Sequence, residues 1–77
     1  MPRLPRATAP DVIRALERAG FARVRARGSH WVFRHTESRR RVVVPYHQSR
    51  IMPPGTLANV LREAGLTADD LERLLKG

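Results

Sequence analysis

The stretch from Phe21 to His35 constrains the fold more than any other. Ala22, Val24 and Ala26 alternate with Arg23, Arg25 and Arg27, the period-2 pattern of a strand with two unlike faces. Gly28-Ser29 follows, a two-residue turn of the Gly-first type that joins tightly paired antiparallel strands. His30 to His35 is then the return strand, with Trp31 and Phe33 on one face and His30, Val32 and Arg34 on the other. So tight a turn sets the register. It puts Arg27 opposite His30, Arg25 opposite Val32 and Arg23 opposite Arg34, with Ala26 facing Trp31 and Val24 facing Phe33. Small residues against large aromatics make a packing surface. The other face brings Arg23 against Arg34, a like-charge pair that an anion would neutralise.

The flanks supply helices and one more strand. Thr8 is placed as an N-cap, Pro10 falls in the first turn and Asp11 stands three residues after Thr8, an approximate capping box. Val12, Ile13, Leu16 and Ala19 make an apolar stripe, Gly20 ends the helix, and Phe21 is placed to fold back on it. Thr36 to Arg40 reads as a polar loop, and Arg41 to Val44 as a third strand ended by Pro45. Tyr46 to Pro53 reads as an irregular crossover. Pro54 opens a helix striped by Leu57, Val60, Leu61 and Ala64 and ended by Gly65-Leu66. Thr67 and Asp70 cap a short last helix carrying Leu71, Leu74 and Leu75. The expected class is α+β, in the order α-β-β-β-α plus a short C-terminal helix. A three-stranded antiparallel sheet would carry helices on one face and leave the Arg-bearing face open. Residues 1–7 are expected to be a flexible basic arm and residues 8–77 a single domain.

Charge distribution narrows the partners. The 77 residues hold fifteen Lys and Arg against seven Asp and Glu, a formal net charge of +8. From Arg18 to Arg50 the only acid is Glu37, and this stretch carries the whole excess. A basic stripe of this kind fits a polyanion, nucleic acid before membrane. Cysteine is absent, and no apolar run approaches the roughly 20 residues that a spanning helix needs. No signal-peptide pattern opens the chain, so a soluble cytoplasmic protein is expected.

The acids argue against a metal-dependent nuclease, which gathers carboxylates around hard cations. Asp11 and Glu17 fall in the first helix, Glu63 in the second, and Asp69, Asp70 and Glu72 in the last. The histidines lack the cysteines or carboxylates of a zinc set. Ser29 and His30 are neighbours on a strand, pointing to opposite faces with no acid to orient them, which argues against a serine hydrolase. His30 has the strongest functional case. Imidazole exchanges a proton near neutrality, and guanidinium groups on the same face can hold a phosphodiester. One imidazole with such donors suffices for RNA cleavage, because the nucleophile is the substrate's own 2′-hydroxyl. The plainer reading of His30 is an exposed turn residue that contacts phosphate. His35 and His47 are candidates for a second proton donor or for structural roles. Trp31 and Phe33 read as core residues more readily than as base-stacking platforms.

The run Gly28-Ser29-His30, then Phe33 and His35, Val44-Pro45-x-His47, Pro54-Gly55-Thr56-Leu57 and Ala64-Gly65-Leu66 resembles the HicA (YcfA-like) toxins, over roughly residues 9–75. The resemblance implies a double-stranded-RNA-binding-domain-like fold and a metal-independent mRNA interferase that needs no cofactor, the toxin of a type II toxin–antitoxin system. It implies His30 as catalytic residue, mRNA as substrate, and a HicB-like antitoxin covering the site. Many members carry a second histidine after the motif, where this chain has Trp31. Beside His30, the basic face supplies Arg27 as leading phosphate ligand, Arg23, Arg25, Arg34 and Arg41 to steer RNA, and the Ser29 hydroxyl. The alternatives are a non-catalytic RNA-binding module using the same face, and an interaction domain whose basic face docks an acidic protein.

Overall fold

Thr8 begins the first helix in the way its spacing predicts. In the computed structural model, which describes residues 4–47 and 49–77, the Thr8 hydroxyl accepts the Asp11 N–H while the Asp11 carboxylate accepts the Thr8 N–H at 3.0 Å. This reciprocal pair satisfies two of the free donors at a helix start. Helix α1 runs Ala9–Arg18 and buries Ala9, Val12, Ala15 and Leu16. Gly20 then takes φ +99°, and Phe21 opens the sheet.

Strands β1 (Phe21–Arg27), β2 (His30–His35) and β3 (Arg41–Pro45) form an antiparallel sheet in chain order. Helix α2 (Pro54–Ala64) packs on β3, α1 packs on β1 and β3, and α3 (Ala68–Lys76) lies against α1. Gly65 ends α2 in the left-handed conformation with φ +73°, and Thr67 and Asp70 repeat the reciprocal cap on α3. This is the expected α+β architecture, a helix-backed three-stranded sheet compatible with a double-stranded-RNA-binding-domain-like fold. None of its helices is long and apolar enough to cross a membrane.

The core lies between the sheet and its helices. Phe33, Leu16, Leu57, Leu71, Val12, Val42, Val44 and Val60 are fully enclosed. Truncating Phe33 to alanine would cost on the order of 3–5 kcal/mol. The segment before α1 belongs to this structure rather than to a loose arm. Leu4 packs on the core, Ala7 is fully buried, and the Ala7 carbonyl accepts the Met52 N–H at 2.8 Å beside a bridge between Thr8 and Ile51. Of the expected arm, residues 1–3 lie outside the described residues.

The hairpin register holds at its tip and changes toward its base. Arg27 pairs with His30, Ala26 with Trp31 and Arg25 with Val32, as the turn predicts. Val24 is then an extra residue. Arg23 pairs with Phe33, Ala22 with Arg34 and Phe21 with His35. The expected facings of Arg23 with Arg34 and of Val24 with Phe33 are therefore corrected by a β-bulge. Its cause is parity. An unbroken alternation from the tip would send Phe21 to the open face; one extra residue returns it to the core, where it is 5% exposed. Phe21 is thereby held edge-on to His35, with ring centroids 5.0 Å apart.

Candidate active site on the open sheet face

The Gly28-Ser29 turn places His30 at the exposed start of β2. Gly28 takes φ +58°, which glycine adopts at no steric cost, and a side chain there would meet open space. Two bonds pin the turn. The Ser29 carbonyl accepts the Tyr46 N–H at 2.6 Å, and the Gly28 carbonyl accepts Trp31 Nε1–H at 3.2 Å. Trp31 is itself held. It stacks on Tyr46 with centroids 4.1 Å apart and planes 5° from parallel, and the Arg23 guanidinium carbon lies 4.9 Å from its ring centroid.

His30 is flanked across the sheet by Arg27 and Pro45. Farther along the same face come Arg25 opposite Val32, and Arg34 opposite Arg41. The like-charge pair expected between Arg23 and Arg34 does not form; Arg34 faces Arg41 on the other neighbouring strand. Arg34 Nη1 donates to the Arg39 carbonyl at 3.0 Å, which orients it without neutralising it. Among the described residues the ion pairs are Arg14–Asp11, Arg73–Asp70 and Lys76–Glu72, each within one helix. The arginines of the sheet face have no carboxylate partner among them. Facing cations without counter-ions repel, and a bound anion relieves that repulsion.

The structure takes Arg23 off this face and leaves His35 and His47 away from it, as their places in the chain predict. Arg23 is turned by the bulge to the side of Trp31. His35 lies on the packing side with both nitrogens engaged. Nδ1 accepts the N–H groups of Glu37 and Ser38 at 3.1 and 3.0 Å, so Nε2 carries the proton that it donates to the Ala19 carbonyl at 3.1 Å. Both ring nitrogens of His35 are thus held by backbone groups of its own and neighbouring turns. His47, exposed, lines a pocket with Pro45, Arg50, Met52 and Thr56 at the start of α2. Ser29 is exposed in the turn.

Two residues that shape the site escaped the sequence pattern. Val24 was placed in the core and is 58% exposed beside the arginines. Trp31, expected in the core more readily than as a stacking platform, packs there and also braces the turn. The signal for the first was present, since Phe21 was expected against α1 while the alternation sent it outward.

The fold is thus a small helix-backed sheet with a basic open face and an exposed histidine, His30, beside its tight turn. The model of the family described as HicA toxin of bacterial toxin-antitoxin matches residues 9–66, the span from α1 to the end of α2. The chain belongs to the HicA toxin family, and so is a toxin of a toxin–antitoxin system. No curated protein matches it significantly.

Proposed function

We propose that this toxin is an RNA endonuclease in which His30 moves the proton and the sheet arginines hold the phosphate. The observation that carries this reading is the position of His30, exposed and cross-strand from Arg27 on a face whose guanidinium groups lack carboxylate partners. In the proposed reaction the His30 imidazole takes the proton of the substrate's 2′-hydroxyl. The 2′-oxygen attacks the adjacent phosphorus and the bond to the 5′-oxygen breaks. The leaving 5′-oxygen takes a proton from solvent water, His30 returns its proton to solvent, and the products are a 2′,3′-cyclic phosphate and a 5′-hydroxyl. Arg27 is the nearest phosphate ligand and stabilises charge on the non-bridging oxygens. Arg25, Arg34 and Arg41 extend the path of the RNA, and the Ser29 hydroxyl offers a further donor. No cation is assigned a role in this scheme.

The functional unit is one domain, residues 8–77 with the packed segment from Leu4 to Ala7 that precedes them, acting on mRNA in the cytoplasm. A HicB-like antitoxin restrains it by laying acidic or carbonyl groups over His30 and Arg27, competing with phosphate at the same charges. The test is cleavage of a defined RNA by purified wild type and His30→Ala with chelator present. Cleavage by wild type to cyclic-phosphate ends, lost in the variant, is expected. Full activity in His30→Ala, or ends bearing a 3′-hydroxyl, would refute the mechanism.

A further inference from the structure

The bulge in β1 has turned a core-type residue outward. Val24 stands on the open face, and Val32, on the central strand, lies beside it at 9% exposure. Together they floor a basin rimmed by Arg25, Arg34 and Arg41. With strands about 4.8 Å apart, a basin reaching from β1 to β3 is on the order of 10 Å wide. The exposed Val24 side chain offers apolar area that a phosphate does not use, beside three arginines that draw a polyanion to it. Its natural cover is a flat, weakly polar surface carried on a polyanion.

We propose that this basin seats one unstacked nucleobase of the bound RNA, face down on Val24 and Val32, beside the nucleotides held at His30. The inference rests on the reading of the face as an RNA site and adds a base-recognising subsite to it. His30 and Val32 are two residues apart on one strand, about 7 Å, so the same RNA strand spans both. Among the described residues no Phe, Trp or Tyr ring floors this basin. Phe21 and Phe33 are buried in the core, and Trp31 and Tyr46 stack on each other on the helix side. The rim offers guanidinium N–H donors and no side-chain acceptor. It therefore suits a base edge that accepts hydrogen bonds, as guanine does through O6 and N7 or uracil through O4 and O2. The amino-bearing edges of adenine and cytosine suit it less. A base inside a duplex cannot reach the floor, so the RNA is unpaired at this nucleotide.

The test is a binding scan with a short 2′-O-methyl RNA, which lacks the 2′-hydroxyl needed for cleavage, read by fluorescence anisotropy. Each nucleotide in turn is made abasic. In wild type, one position is expected to lose about tenfold in affinity, the scale of a single base contact. Guanine or uracil there should bind more tightly than adenine or cytosine. Val24→Ser, at an exposed position, should lose a similar factor with the intact RNA and nothing more with the abasic one. Val24→Ile should retain the loss at that position. A flat abasic scan, or a loss undiminished in Val24→Ser, overturns the base seat while leaving the phosphate site standing. Unchanged RNA affinity in Val24→Ser likewise overturns the base seat. An RNA that does not bind at all overturns both the seat and the nucleic-acid reading beneath it.

Discussion

Trp31 Nε1–H donates to the Gly28 carbonyl at 3.2 Å, so the side chain that follows His30 clamps the turn that precedes it. Trp31→Phe keeps a ring to stack on Tyr46 and removes the donor. We expect RNA affinity to change little and the cleavage rate to fall by about tenfold, the effect of one lost orienting bond near 1.4 kcal/mol. Single-turnover kinetics beside a titration of RNA binding separate the two. Equal losses in affinity and rate would mean that Trp31 shapes the binding face rather than the placement of His30.

His30→Ala should leave the melting temperature close to wild type, because the side chain is exposed at the start of β2. Its cleavage rate should drop by about 10²- to 10⁴-fold, the usual contribution of a general acid–base group. Thermal melts and gel-resolved cleavage measure both. A large loss of stability would assign His30 to the hairpin rather than to chemistry.

Removing phosphate ligands should act on salt dependence rather than on turnover alone. Arg25→Ala with Arg27→Ala should weaken RNA binding at low salt and flatten the plot of log affinity against log salt by about 1.5 units, since two fewer phosphates are neutralised on a single strand. An unchanged slope would place the RNA on another surface.

Gly20 and Gly28 both have positive φ, but only one is crowded. A Cβ on Gly20 would lie 2.8 Å from His35 Nε2, the atom that bonds the Ala19 carbonyl, whereas one on Gly28 meets nothing within 4 Å. Gly20→Ala should therefore cost about 1–3 kcal/mol and disturb His35, and Gly28→Ala about 1 kcal/mol from backbone strain alone. Chemical denaturation ranks them. The reverse order would contradict the packing of His35 on Gly20.

The helix caps set an acid limit. The Thr8 backbone N–H holds the Asp11 carboxyl below the ordinary aspartate value, against the opposing effect of partial desolvation, with the Thr8 hydroxyl and Arg14 adding to the lowering. Thr67 does the same for Asp70, helped by Arg73. A carboxylate lowered in the folded state contributes stability above its unfolded value, about pH 3.9, and loses it as pH falls through the folded value. Melting temperatures of wild type and the Asp11→Asn, Asp70→Asn double variant should thus converge as pH drops below about 4. A gap that stays constant down to pH 2 would remove the caps from the pH dependence.

Local signals in the sequence were strong where they were redundant. Thr8 with Asp11 and Thr67 with Asp70 state their caps in side-chain chemistry, and Gly28-Ser29 fixes the register of the residues nearest the turn. The bulge at Val24 was not legible from the alternation, because Arg23 to Arg27 is a faultless period-2 run that any ladder could use. It follows from a distant demand, the burial of Phe21 against α1, which overrides local pattern. The same holds for the site. His30, Arg25 and Arg27 sit within the register set by the turn. Arg23 and Val24 lie beyond it and exchange faces. The bond from Trp31 to Gly28 depends on a rotamer that spacing does not specify.

The Glu63 side chain reaches from α2 to accept the Val43 N–H of β3 at 3.1 Å. That N–H lies on the outer border of the sheet, where an approaching strand from another copy would seek it. The opposite border, β1, is kinked by its extra residue and lined with Arg23, Arg25 and Arg27, so two copies meeting there would repel. A carboxylate thus guards one side, and shape and charge guard the other. Edge-to-edge growth of one sheet onto another is opposed at both borders.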